Sequence, residues 1–154
     1  MSIEVKIQKL FPDAKIPTYG SLNAAGADLY VYADAPVVIK PHETVLIHTG
    51  LAMEIPEGYG GFIFARSGLA AKKGLAPANK VGVVDADYRG EIMVALHNAS
   101  EAEAKLEPFD RVAQMVFLPY AAAAFIESEL SNTERGEGGF GSTGRGGRDV
   151  NTRR

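Results

Sequence analysis

An all-β domain with one short helix and a glycine-rich tail is the fold that this 154-residue sequence predicts. Three observations predict it. Apolar and polar residues alternate in several short runs, glycines and prolines divide those runs, and the composition changes abruptly after Leu130. Side chains on a strand point to opposite faces with period two, so alternation marks strands with one buried face. Many short strands divided by Gly/Pro turns argue for a sandwich or barrel-like fold. A chain of about 150 residues buries about two-thirds of its unfolded surface, enough for a core without staples.

The elements follow in order. Ile3, Val5 and Ile7 are interleaved with Glu4, Lys6 and Gln8, and read as a first half-buried strand. Val45 to Ile47 is continuously apolar and suits a strand buried on both sides. Phe62 and Phe64 mark another strand ahead of Arg66. Ser67 is a candidate cap for a short helix over Leu69–Lys73, which Gly74 can end in a left-handed conformation. The run Val83–Glu91 reads as a hairpin whose second strand continues through Ile92, Val94 and Leu96. Met115 to Leu118 is a second continuously apolar run, and Ala121–Ala124 fits either strand continuation or a connector. Pro36, Pro41, Gly50, Pro56-Glu57-Gly58, Pro108 and Pro119 separate these pieces. Residues 1–130 are expected to form one β domain. In the tail, residues 131–154, seven glycines fall within 136–147, and only Phe140 and Val150 carry bulky apolar side chains. Such a segment cannot repay its backbone entropy by burial and is expected to be mobile when alone.

Composition narrows the function. With 46% hydrophobic and 23% charged residues the chain reads as globular. No run approaches the roughly 18 apolar residues of a membrane span, and Met1-Ser2-Ile3-Glu4 opens no secretory signal. The absence of cysteine excludes disulfides, thiolate zinc sites and a cysteine nucleophile, and fits a reducing compartment. A cytoplasmic location is therefore expected, with an organelle or the nucleus left as the alternative in a eukaryote. A net charge of −3 speaks against nucleic acid as a partner. The tail nevertheless carries Arg135, Arg145, Arg148, Arg153 and Arg154 against Glu134, Glu137 and Asp149. A basic tail on an acidic body suggests that the tail meets something anionic.

Neither a Gly-x-x-x-x-Gly-Lys-Ser/Thr phosphate loop nor a Gly-x-Ser-x-Gly elbow occurs, and His42, His48 and His97 lack metal-ligand spacing. Three other stretches carry chemistry. Asp85 directly follows an apolar strand, where partial desolvation would give a carboxylate base character, and Tyr88 supplies a flat ring nearby. Arg66 and Ser67 stand at a helix start, where backbone N–H groups favour anions. The stretch Arg135–Gly144 combines glycines that let amides approach phosphate with an arginine, a stacking ring at Phe140 and two hydroxyls. A tail of that kind could fold as a lid over a nucleotide. Together these pieces suggest a nucleoside triphosphate site without a phosphate loop.

In this order the segments resemble the five motifs of the trimeric deoxyuridine triphosphatases (dUTPases). Ala24–Tyr30 matches the first motif, Arg66–Ala70 the second, Asn79 with Gly82–Glu91 the third, Arg111–Gln114 the fourth and residues 135–144 the fifth. Ala65 stands where the family often has proline, and residues 145–154 match nothing. The resemblance implies a jelly-roll-like β domain of the dUTPase type, assembled as a homotrimer whose sites are shared between subunits. It implies hydrolysis of dUTP to dUMP and pyrophosphate, which limits uracil in DNA and supplies dUMP for thymidylate synthesis.

The resemblance also implies residue roles. The Asn79 side chain and the backbone of Gly82 and Val84 would read uracil, while Tyr88 would lie under the deoxyribose and exclude a 2′-hydroxyl. Asp85 would deprotonate a water for in-line attack on the α-phosphorus. Arg66, Ser67 and Gly68 would hold phosphate oxygens, with Gln114 on the α-phosphate or a magnesium-coordinated water. Arg135, Gly141, Ser142 and Thr143 would close on the γ-phosphate as Phe140 stacks on uracil. Asp28 and Arg111 would support these groups. Mg²⁺ would be held by the phosphates and waters, with no direct protein ligand. Two alternatives stay open at this point: a deoxycytidine triphosphate deaminase of related fold, which needs a catalytic glutamate and a pocket for the 4-amino group, and a nucleotide-sensing trimer that binds without hydrolysis. Pyrophosphate release from dUTP separates these readings.

Overall fold

The computed structural model describes residues 2–139. Its strands are β1 Lys6–Lys9, β2 Thr18–Tyr19, β3 Ala27–Tyr30, β4 Val37–Ile39, β5 Thr44–Glu54, β6 Tyr59–Ala65, β7 Leu75–Pro77, β8 Gly82–Val84, β9 Glu91–Asn98, β10 Ala104–Leu106 and β11 Arg111–Pro119. The single helix, α1, spans Ser67–Lys73. A four-stranded sheet runs β1-β5-β9-β7, a five-stranded sheet runs β2-β3-β11-β6-β8, and β4 pairs with β10. Every pairing is antiparallel. The expected all-β class with one short helix is what the chain adopts. The body ends at Ala121, and a separate segment begins at Ala122. From Ala122 to Gly139 that segment holds no helix or strand. Among the described residues, no helix is long and apolar enough to cross a membrane.

Alternation builds the core where it was expected. In β9, Ile92, Val94 and Leu96 are buried while Glu91, Met93, Ala95 and His97 lie on the half-exposed face. They join Leu29 and Val31 at β3, Ile47 and Leu51 of β5, and Val112 and Met115 of β11 in one apolar cluster drawn from both large sheets. No buried side-chain polar atom among the described residues lacks a hydrogen-bond partner.

Four local expectations are corrected. The apolar runs are not buried on both sides within one chain: Leu46 and Leu118 stay on open faces, 58% and 42% exposed. In β6 the core-facing residues are Gly61 and Ile63, so Phe62 and Phe64 occupy the opposite, half-exposed face. Gly50 does not separate two elements but forms a bulge inside β5. The register jumps between His48 and Ala52, and Gly50 has φ +68°. A Cβ there would sit 3.0 Å from both Ala14 Cβ and Tyr32 Cγ, so the left-handed backbone and the close approach both call for glycine. The segment around Val83–Glu91 is not a hairpin either. β8 pairs with β6 and β9 pairs with β5 and β7, so residues 85–90 cross from one sheet to the other.

Candidate active site

At one end of the five-stranded sheet, three strands and the helix start bring four predicted site residues together. β3 and β11 pair with Asp28 opposite Gln114, and β11 and β6 pair with Gln114 opposite Phe64. The chain then leaves β6 through Ala65 into Arg66, whose extended backbone (φ −87°, ψ 124°) makes it the residue before α1. Ser67 is therefore the first helical residue and not the cap. No side chain caps this helix. The Arg66 guanidinium is turned instead toward Asp28, donating from Nε to Oδ1 at 2.8 Å. Its Nη1 donates to the Arg111 carbonyl at 3.1 Å, and Arg111 Nη1 donates to Asp28 Oδ2 at 3.2 Å.

Asp28 is thus a nearly buried carboxylate gripped by two guanidiniums. Charge-assisted bonds of this kind offset the desolvation of the carboxylate, and they fix the plane of Arg66. Gln114 is fixed as well, since its Nε2 donates to the Ala65 carbonyl at 2.9 Å. Gly26 makes room for it, because a Cβ at that position would lie 2.6 Å from Gln114 Oε1. The cluster carries two positive charges against one negative. Beside it the Ser67 hydroxyl and Gly68 are exposed at the helix start, where the first N–H groups have no intrahelical partner. Guanidinium, amide, hydroxyl and backbone N–H are a donor set for phosphate oxygens.

A second group sits around β8. Asn79 lies in a tight turn in which the Val81 N–H bonds the Asn79 carbonyl at 2.7 Å and Lys80 takes φ +65°. Gly82 lets the Asn79 amide and Ile63 pack closely: a Cβ there would meet Ile63 Cβ at 3.2 Å and Asn79 Nδ2 at 3.4 Å. Gly82 and Val84 are buried, Val83 is exposed, and β6 is the only strand to which β8 is bonded among the described residues.

Asp85 is the first residue past β8 and is exposed, so the chain alone does not supply the desolvation expected for its carboxylate. The turn after it is closed by Tyr88 N–H to the Asp85 carbonyl at 3.2 Å, and Arg89 Nη1 braces it through the carbonyls of Ala86 (2.7 Å) and Tyr88 (3.1 Å). Tyr88 Oη donates to the Glu91 carbonyl at 3.1 Å, and its ring lies against Gly90, where any Cβ would collide with the phenol. Sequence reasoning passed over Arg89 and Gly26; only their places beside Tyr88 and Asp28 hinted at them.

The structure therefore forms two groups: Asp28, Arg66, Arg111 and Gln114 with Ser67 and Gly68 beside them, and Asn79, Gly82, Val84, Asp85 and Tyr88. Among the described residues no hydrogen bond links the two groups. The groove beside Asp85 is lined by Glu54, Glu57, Asp87, Arg89 and Tyr120, and none of the first group reaches its wall. A different groove of about 810 Å³, lined by Ile3, Val5, Leu22, Met53 and Phe117, holds no predicted site residue. Within its own segment Arg135 donates from Nε to the Gly138 carbonyl at 2.7 Å. Phe140, Gly141, Ser142 and Thr143 lie outside the described residues.

The chain was then compared with known proteins. The dUTPase family profile matches residues 12–144. A deoxyuridine 5′-triphosphate nucleotidohydrolase of Hydrogenobaculum sp. (strain Y04AAS1) is 49% identical over 143 residues, covering 92% of this chain and 99% of the relative. The enzyme of that name from Desulfitobacterium hafniense (strain DSM 10664 / DCB-2) is 50% identical over 147 residues, covering 93% and 97%. Among solved structures, the dUTPase of Staphylococcus bacteriophage 80alpha with dUpNHpp superimposes with a TM-score of 0.85 at 28% identity, over 94% of this chain and 100% of that one.

Proposed function

The chain belongs to the dUTPase family and hydrolyses dUTP, and we propose that it does so by attack of an Asp85-activated water on the α-phosphorus. The observation that carries the assignment is the contrast between the two aspartates. Asp28 is committed to two arginines, one bonded to each of its oxygens. Asp85 is exposed at the end of a rigid strand. In the proposed step Asp85 takes a proton from water, the water oxygen bonds the α-phosphorus, and the bridging bond to the β-phosphate breaks. The products are dUMP and pyrophosphate. Hydrolysis of this kind would limit uracil in DNA and supply dUMP for thymidylate synthesis; a chain without cysteine suits this work in the cytoplasm.

The remaining residues bind and select. Arg66, Ser67 and Gly68 would hold phosphate oxygens, and Gln114 the α-phosphate. Asp28 and Arg111 would keep Arg66 in plane. The Asn79 amide and the open edge of β8 at Gly82 and Val84 would pair with uracil; cytosine reverses the pattern at its exocyclic position, and such a mismatch discriminates by about 10⁴. Tyr88 would lie under the deoxyribose. Arg135, Gly141, Ser142 and Thr143 would close on the γ-phosphate, with Phe140 on the base.

Among the described residues no three His, Asp or Glu side chains converge as a metal site. The cationic and amide donors at the phosphate end would bind phosphate oxygens, and a magnesium ion would arrive held by the triphosphate and its waters. When bound, Mg²⁺ would offset phosphate charge and draw the chain into the in-line geometry.

We further propose a homotrimer with shared sites. Among the described residues the groove beside Asp85 is lined by none of the Asp28 group, and large apolar side chains stay exposed: Val83 at 63%, Phe125 at 98% and Leu130 at 93%. Purified protein incubated with dUTP, dCTP, dTTP and UTP, with and without Mg²⁺, tests the proposal. Pyrophosphate release from dUTP alone, requiring Mg²⁺, is expected. Release of single phosphates, or comparable turnover of dCTP, would overturn it.

A further inference from the structure

We infer that Glu91 is a positioning residue for sugar selection: its carboxylate ties the start of β9 to the glycine bulge of β5, and its carbonyl seats the Tyr88 hydroxyl. The inference rests on the reading of Tyr88 as the surface beneath the deoxyribose.

Residues 85–90 pass between two sheets, so no ladder of backbone bonds fixes them. The turn bonds at Asp85 and Arg89 hold the Tyr88 backbone, while its hydroxyl is held from the far end of the crossing. There the Glu91 side chain is only 18% exposed. Its Oε1 accepts the Gly50 N–H at 2.8 Å, and its Oε2 meets His48 Nδ1 at 2.8 Å. The bulge it grips cannot drift. The Gly50 carbonyl accepts the Leu10 N–H and the His48 carbonyl accepts the Tyr32 N–H, each at 2.8 Å. The Thr49 hydroxyl bonds the Ile92 carbonyl at 2.6 Å, immediately beside Glu91.

A continuous chain of contacts therefore runs from the immobile bulge, through both carboxylate oxygens of Glu91, to its carbonyl and on to Tyr88 Oη at 3.1 Å. The ring lies against Gly90, where a Cβ would collide with it, and the Glu91 carbonyl holds its hydroxyl end. Misplacement of a positioning group by about an ångström is enough to change how a substrate is held, and Tyr88 is half-exposed and relies on few contacts. Nothing in this chain of contacts touches the phosphates. Its effect should appear in discrimination between sugars and in KM more than in turnover.

The test measures kcat and KM for dUTP and UTP, with melting temperatures, for Glu91→Ala, Glu91→Gln, Tyr88→Phe and Tyr88→Ala. Glu91→Ala should narrow the dUTP-to-UTP ratio of kcat/KM by roughly 3- to 10-fold, the worth of about one neutral hydrogen bond. It should do so mainly through KM. Glu91→Gln, which keeps an acceptor for Gly50 and a donor for His48, should restore the ratio. Tyr88→Phe removes only the bond to the Glu91 carbonyl and should narrow the ratio similarly; it decides the matter if Glu91→Ala does not fold. Tyr88→Ala should narrow it most. A narrowed ratio in Tyr88→Ala with unchanged ratios in folded Glu91→Ala or in Tyr88→Phe overturns the role of Glu91 alone. An unchanged ratio in Tyr88→Ala removes the reading of Tyr88 and the inference with it.

Discussion

Replacing Asp28 by asparagine is the most informative single change at the phosphate end. An amide keeps one acceptor for Arg66 Nε but turns a second donor toward Arg111 Nη1, where the carboxylate offered Oδ2 at 3.2 Å. The two lost charge-assisted contacts are unequal. The Arg66 bond is short, 2.8 Å, between side chains 26% and 13% exposed. A hydrogen bond to a charged group in such surroundings is worth about 1.5–3 kcal/mol. The Arg111 side chain is 50% exposed, so solvent screens that pair and its share falls to about 0–1 kcal/mol. Because the amide still accepts from Arg66, the variant loses the charge on that bond and the contact to Arg111, and Asp28→Asn should destabilise the fold by about 1–2 kcal/mol. Denaturant unfolding at one fixed protein concentration, with variants of Arg66 and Arg111 alone and combined with Asp28→Asn, separates the two terms. The Asp28–Arg66 coupling should exceed the Asp28–Arg111 coupling by at least 1 kcal/mol. In the same variant kcat/KM for dUTP should fall by about 10–100-fold, because a guanidinium held by a neutral amide is less firmly set in the plane in which it would meet phosphate. Coupling to Arg66 below about 0.5 kcal/mol, or full activity in the folded variant, would refute the reasoning.

Three further outcomes are expected. Asp85→Asn should lower turnover by ~10²–10⁴ while dUTP still binds, since the amide keeps the shape and loses the basicity; single-turnover kinetics with a separate binding titration reads both. Gly50→Ala should lose about 1–2 kcal/mol or more, from the left-handed backbone at φ +68° and the contacts at 3.0 Å, measured by the same unfolding assay. Deleting residues 132–154 should leave the melting temperature of the body close to native but cripple hydrolysis, and full activity after deletion would remove the tail from the mechanism.

The sequence displayed some of this plainly and concealed the rest. β9 was legible because one of its faces meets the core and the other does not, which writes the burial pattern directly into Ile92, Val94 and Leu96. Gly74 was legible as a helix stop because its left-handed conformation excludes most other residues. β5 was harder. A bulge breaks the two-residue period, so Gly50 looked like the end of one strand when it is a fold within a single strand of eleven residues. The crossing after β8 was misread for a different reason: local pattern states that a strand exists but not which sheet it joins. The anchoring of Arg66 was hidden in the same way, since Asp28 lies 38 residues before it and Arg111 lies 83 residues beyond Asp28. Motif resemblance marked all three positions. Only the folded chain showed that they are one electrostatic unit.

Among the described residues one edge of β8 has no partner strand, and this has a consequence beyond its proposed role in base recognition. A strand edge without a partner offers its N–H and C=O groups to any extended peptide, and exposed edges of that kind are where chains polymerise. This edge is three residues long and flanked by the tight turn at Lys80 and the braced turn at Arg89. It is long enough to meet one planar ring and too short to template a ladder. The shortness of β8 thus doubles as a safeguard against aggregation, and any engineering that lengthened this strand to grip the base harder would risk making the protein stick to itself.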